Sequence, residues 1–314
     1  MIKALSWLGA RAQWALAIGV IAAVFIPGPG KLLEGSIPFW VVVMTGLAMT
    51  RIDLGQVLRR AIGPRRMVRN LALAGTLMIA TPVVFFAIAS ATGIADSHIQ
   101  ALVYTAAAPP LGSATAFCLM LGLDAAFALE ITILGSFLAP FTMPLVARLL
   151  LGDAVPIETA EMILRLGILI GTAAIGAVIL RRLLGPKTIE RYSHAFDGVA
   201  SICLVLFLFP LFLGLTDQIA AAPAYALTTA ILVIIVNLGA QIASFPICRL
   251  AAGRETGGAT SLILGNRNAA LGLASLPPDP LLTIYVALYQ FPMYFTPLIM
   301  RFVVGAPHAS ARSN

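Results

Sequence analysis

Long apolar runs with few charges recur along almost the whole chain, and they decide what it can fold into. Ten are read between charged residues and turn formers. They lie near 12–27, 36–51, 70–92, 98–121, 125–148, 158–180, 194–215, 224–248, 258–276 and 280–303. Each is close to the roughly 20 residues that a helix needs to cross hydrocarbon. Only 11% of the 314 residues are charged, while 60% are hydrophobic; a soluble domain carries roughly a quarter charged residues. So few charges cannot coat a globule in water, and a bilayer is the solvent that fits. The expectation is an all-α membrane protein forming a single domain over 1–314, with no soluble module.

The N-terminus, with Lys3 and Arg11 ahead of Trp14–Ile26, has the outline of a signal peptide. No Ala-x-Ala-like site closes it and Pro27–Gly30 reads as a turn, so it is taken as a retained first span. The formal charge of +7 is explained by topology rather than by nucleic acid. Arg51, Arg59, Arg60, Arg65, Arg66 and Arg69 follow the second run, and Arg181, Arg182, Lys187 and Arg191 follow the sixth. Arg249 and Arg254 follow the eighth, and Arg301 and Arg312 end the chain. With ten spans these residues, like Lys3 and Arg11, fall on one side, which the positive-inside rule makes cytoplasmic, with both termini. The expected location is the inner membrane. Cys118, Cys203 and Cys248 are far apart, each in an apolar stretch, so neither a disulfide framework nor a metal site is read from them.

The two halves look alike. Pro140-Phe-Thr-Met-Pro144-Leu-Val in the fifth run is echoed by Pro292-Met-Tyr-Phe-Thr-Pro297-Leu-Ile in the tenth. The run before each holds a polar, small-residue interruption: Ala108-Pro-Pro-Leu-Gly-Ser-Ala-Thr115 in the fourth, Leu264-Gly-Asn-Arg-Asn-Ala-Ala270 in the ninth. An acidic residue, Asp124 or Asp279, then opens the next run. Five spans per half is an odd number, so the expectation is two inverted repeats, about 12–151 and 157–304. Matched interruptions in inverted halves point to a transporter's midplane site.

Pro109 and Pro110 remove two backbone donors, and Gly112 and Gly265 weaken their helices further. The released peptide groups cannot face lipid and must meet protein, water or a ligand. Ser113 and Thr115 offer hydroxyls there, and Asn266 and Asn268 flank Arg267. An arginine at a span centre costs about 2.5–3.5 kcal/mol on the insertion scale, so Arg267 should face the interior with an acceptor. Glu130 is the carboxylate well inside an apolar run in the first half. An Arg267–Glu130 pair is therefore expected, either structural or opening to bind an anion or to exchange a proton. Asn237 and Gln241, spaced i, i+4, share a helix face. These two and Gln290 either bond between helices or line the substrate path. Trp14, Trp40, Tyr285, Tyr289 and Tyr294 are belt or cavity aromatics.

At the interruptions the chain resembles the bile acid–sodium symporter family, itself similar to the arsenite permeases. Phe39 to Arg60 is similar to that family's second span, with its Met-x-Gly-Leu core and Asp-Phe-x-x-Val-Leu exit. Ala108–Thr115 stands where the family has Pro-Gly-Gly-x-x-Ser-Asn, and Leu138-Ala-Pro140 where it has Leu-Ala-Pro. Gly265-Asn-Arg-Asn-Ala-Ala-Leu271 stands where it has Gly-Met-Gln-Asn-Ser-Gly-Leu. The resemblance implies a ten-span fold whose fourth and ninth spans unwind and cross at the binding site, with a core moving against a helix panel. It also implies two sodium ions held by the Ser-Asn pair, by fifth-span hydroxyls, and by a Glu and a Gln of the ninth span. Here those positions are Ala114-Thr115, Ala128 and Thr132, Ile263, and Arg267.

The expected function is secondary transport of a small organic anion, with proton coupling or exchange preferred to sodium and no cofactor. Non-transporting sensors, and sodium symport with altered ligands, are the alternatives. An enzyme is not expected: the histidines His98, His194 and His308 fall at run ends, and no His-Glu-x-x-His, Gly-x-Ser-x-Gly or paired intramembrane aspartate occurs.

Overall fold

In the computed structural model, residues 2–51 and 64–305 are described, with the backbone alone described at 12–14, 16–17, 27 and 64–66. Arg59, Arg60, His308 and Arg312, and the side chains of Trp14, Arg65 and Arg66, lie outside the described residues. Helices carry nearly all of the described chain. Ile2–Ala10, Ala12–Phe25, Pro27–Leu32 and Ile37–Thr50 come first, then Pro64–Thr92 and the two short helices Asp96–Ala107 and Ala114–Leu121. Ala125–Leu151, Thr159–Leu184, Pro186–Arg191, Ser193–Leu211 and Leu215–Ala221 follow. Pro223–Ile234 passes through a π turn, Ile235–Gly239, into Ala240–Gly265. Ala269–Ser275 and Pro280–Val304 end the fold. Among the described residues, six segments are long and apolar enough to cross a membrane, with Ile37–Thr50 a shorter apolar helix.

Local chemistry accounts for the boundaries. Asp124 caps the Ala125–Leu151 helix by accepting from Phe127 N at 2.9 Å. Asp279 does the same for Pro280–Val304, accepting from Leu281 N at 2.8 Å. A side-chain oxygen here satisfies donors that a helix N-terminus leaves open. The seventh run ends earlier than expected: the helix stops at Leu211, just after Pro210, and the left-handed Gly214 (φ 70°) redirects the chain into Leu215–Ala221.

The eighth and ninth runs form a hairpin. Its reversal is at Gly253, whose φ of 76° and ψ of 177° suit glycine alone. The two arms then pack backbone to backbone. A side chain at Gly257 would collide with the main chain of Cys248 and Arg249, and one at Gly265 with the carbonyl of Asn237. Such close approach is how membrane helices gain contact without a hydrophobic drive between them.

The main core is formed by Asp96–Ala107, the Pro280–Val304 helix and neighbours, with Val103, Tyr285, Val286, Ala287 and Tyr289 fully enclosed. A second cluster gathers Cys118, Ala128, Ile131, Leu262 and Ile263 around the ends of the interrupted helices. Large apolar side chains such as Leu149, Leu164, Leu183, Ile247 and Leu250 point outward, as on a surface that meets lipid.

Candidate functional site

Both interrupted runs are broken, and they cross. The first loses helix between Ala107 and Ala114, where Ala108 is extended (φ −64°, ψ 151°) ahead of Pro109. The second loses it between Gly265 and Ala269. At the crossing Pro110 and Arg267 form an isolated antiparallel bridge. Leu111 N donates to Asn266 O at 2.9 Å, and Asn268 N donates to Pro109 O at 2.9 Å. Peptide groups freed by proline thus find each other, which satisfies part of what hydrocarbon cannot.

Arg267 lies at this crossing, 2% exposed. Its Nε donates to Leu264 O at 3.0 Å, and Nη1 to Ala108 O at 3.3 Å. Its Nη2 donates to Leu77 O and to Thr81 Oγ1, both at 3.1 Å. A guanidinium has five N–H groups, so one N–H on Nη1 is left over. All four acceptors are neutral oxygens, so the positive charge is solvated but not cancelled.

Glu130 does not meet Arg267, contrary to expectation. The carboxylate is buried and its Oε2 accepts from Asn70 Nδ2 at 2.7 Å. The reason is axial: Glu130 meets the Pro64–Thr92 helix at Asn70, whereas Arg267 reaches that same helix at Leu77 and Thr81, roughly two to three turns further along. Arg267 is also unsuited to clamping a carboxylate through both prongs, because its donors are already engaged.

Behind the crossing is a buried polar knot in which Gln241 Oε1, alone of the knot's side-chain atoms, has no partner among the described residues. Asn237, in the π turn, shares its two Nδ2 hydrogens among Gly265 O at 2.8 Å, Asn266 Oδ1 at 3.2 Å and Tyr289 Oη at 3.3 Å. Tyr289 in turn donates to Gly265 O and accepts from Arg267 N. Thr296 Oγ1 lies 3.2 Å from both Asn237 Oδ1 and Asn266 Oδ1, and Gln241 Nε2 bonds Asn237 O at 3.1 Å. A π bulge at such a place fits the tendency of these distortions to occur at functional sites. Asn266, Asn237 and Gln241 are therefore packed into this knot and do not line the cavity on the other side of the crossing.

A cavity of about 410 Å³ opens on the other side of the crossing. Pro110, Gly112, Ser113, Thr115, Thr132, Arg267, Asn268 and Gln290, all singled out by sequence, line it. Pro109, Gly265 and Glu130 do not. Thr115 Oγ1 and Tyr294 Oη are buried at its wall with no hydrogen-bond partner, and Gln290 Nε2 donates to Val286 O at 3.1 Å. The rest is largely apolar, including Val41, Met44, Leu111, Phe207 and Met293. At the rim, Arg51 Nη1 and Asp197 Oδ1 are 2.6 Å apart. A cavity of this size, mostly apolar with a few polar groups, suits a small organic molecule.

Sequence reading missed Thr81 and Thr296 as members of this site, and took Tyr289 only as a belt or cavity aromatic. A signal existed: Tyr289 and Thr296 are seven residues apart, on one helix face, and Thr81 precedes Pro82. Among the tyrosines Tyr285 and Tyr289 are core, and Tyr294 lines the cavity. Trp40 is half-buried and donates to Ser36 Oγ at 3.0 Å.

Apolar helices that enclose a solute-sized cavity, with broken backbone at its wall, define a multi-pass membrane protein built to hold a small solute. The chain belongs to the sodium bile acid symporter family, which it matches over residues 38–222, more than half its length. Members of that family are solute transporters rather than enzymes. No curated protein matches closely enough to refine that assignment.

Proposed function

We propose that this protein is a secondary active transporter of a small organic anion, working by alternating access. The proposal includes ten spans in two inverted five-helix repeats, in an inner membrane with both termini cytoplasmic. The observation that carries the reading is the crossing itself. Two helices lose regularity at one point, and the peptide groups and side chains there line a cavity of about 410 Å³.

The coupling ion is where this chain departs from its family's description. Leu77 O, Ala108 O, Leu264 O and Thr81 Oγ1, neutral oxygens of the type that also solvate a bare cation, are all turned towards the Arg267 guanidinium. A tethered cation in that position makes a free sodium there unnecessary, so transport proceeds by proton coupling or exchange. Glu130, buried against Asn70, is the carboxylate assigned to the proton, and Thr132, two residues on in the same helix, lines the cavity wall. The uncancelled charge of Arg267 also favours an anionic solute, because charge interactions strengthen away from water.

The test is uptake of a panel of radiolabelled organic acids into proteoliposomes holding the purified protein, against empty liposomes. Saturable uptake of at least one acid is expected. No flux of any acid, with the protein folded, would leave a membrane sensor instead.

A further inference from the structure

Arg267 has four of its five N–H groups committed, yet the cavity has a second guanidinium at its wall. Arg51 stands at the end of the Ile37–Thr50 helix, about one-third exposed. Its one protein bond runs from Nη1 to Asp197 Oδ1 at 2.6 Å, so four N–H groups remain open among the described residues. Asp197 is in the first turns of the Ser193–Leu211 helix, and its other oxygen lies 3.8 Å from His194 Nδ1. Both partners line the same cavity as Arg267 and Phe207. The backbone on either side is held independently of the pair. Arg181 Nη1 caps Thr50 O at 3.1 Å, Thr50 Oγ1 bonds Gly46 O at 2.8 Å, and Ser201 Oγ bonds Asp197 O at 2.7 Å. The Arg51–Asp197 bond can therefore open without either helix end losing its hydrogen bonds.

We propose that Arg51 is the group that receives the anionic end of the solute, exchanging Asp197 for the solute's carboxylate, while the solute's apolar body lies towards Leu111, Phe207 and Met293. The substitution is chemically even: one carboxylate leaves the guanidinium as another arrives. The geometry improves, because the open fork of Arg51 can bind a mobile carboxylate through two parallel bonds. Asp197 makes one. Freed Asp197 stays near water at the rim, where its charge is tolerated. On the proposed orientation this rim is cytoplasmic, so the exchange marks loading or release on that side. The inference rests on the organic-anion reading above and names the residue that carries it.

The experiment uses the full-length protein in lipid nanodiscs and two probes of equal shape, 3-phenylpropanoate and its uncharged alcohol, 3-phenylpropan-1-ol. Affinity is measured by calorimetry. The wild type is expected to bind the carboxylate. The Asp197→Asn variant, which removes the internal competitor, is expected to bind it at least threefold more tightly. The Arg51→Gln/Asp197→Asn double variant leaves no lone charge at the rim. It is expected to lose carboxylate affinity more than threefold while its affinity for the alcohol stays within twofold of the wild type. That unchanged affinity also reports an intact cavity. A wild type blind to the carboxylate, or a double variant within threefold of the wild type, overturns the assignment. Failure of the transport reading looks different: Arg51-dependent carboxylate binding would persist with no flux of any acid. Flux that continues in a double variant of unaltered affinity sinks Arg51 and leaves transport standing.

Discussion

Removing the Arg267 side chain tests whether its guanidinium is a structural cation. In Arg267→Ala, the carbonyls of Ala108 and Leu264 sit at the two helix breaks and lose their donor. A buried carbonyl left unpaired costs roughly 1–3 kcal/mol, so the two together cost about 2–6 kcal/mol. The loosely packed state within the bilayer moves the same way. An arginine that faces lipid there is disfavoured by about 2.5–3.5 kcal/mol, and alanine removes that penalty. Both effects lower the stability of the folded form relative to that state, and neither offsets the other. The assay is thermal unfolding of purified protein followed by tryptophan fluorescence, in sodium chloride and in choline chloride. The variant should melt at lower temperature than the wild type in choline. Sodium should not recover the loss, since oxygens spaced around a guanidinium stand too far apart to coordinate a small bare cation, and should leave the wild type unmoved. An Arg267→Ala protein that melts with the wild type in both salts would refute the structural role of the guanidinium.

Gly257→Ala places a methyl against the backbone of Cys248 and Arg249; overpacking of this kind costs roughly 1–3 kcal/mol, and a lowered melting temperature checks it. Asn237→Ala withdraws the donor shared by Gly265 O, Asn266 and Tyr289. It should destabilise by about 1–3 kcal/mol and loosen the crossing, read as faster hydrogen exchange over 264–270. Glu130→Gln keeps an oxygen to accept from Asn70. It is expected to lose uptake driven by a proton gradient while keeping sodium-free counterflow exchange, both measured in proteoliposomes.

The breaks were legible in sequence because their cause is local. Pro109 and Pro110 delete donors wherever they stand, and Gly265 beside two asparagines and an arginine is a poor helix. The caps at Asp124 and Asp279 were legible for the same reason. Burial of Arg267 followed from the cost of exposing it to lipid. Its partners did not follow, because a partner depends on how each helix is rotated about its axis and how deep it sits against its neighbours. Long apolar runs with hydrophobic residues all round leave both unspecified. So Glu130 was matched to Arg267 by its place in the repeat, whereas it meets the Pro64–Thr92 helix at Asn70, roughly two to three turns from the contacts of Arg267. The π turn that aims Asn237 at Gly265 has no sequence mark that distinguishes it from ordinary helix. Arg51 read as one more basic flank, and only the fold shows it at the cavity beside Asp197.

The most direct measurement is the initial rate of uptake of a transported acid into proteoliposomes, with external and internal sodium replaced by choline at constant pH. A built-in guanidinium at the crossing predicts an unchanged rate in the wild type. A rate that falls to the empty-liposome level without sodium would contradict it.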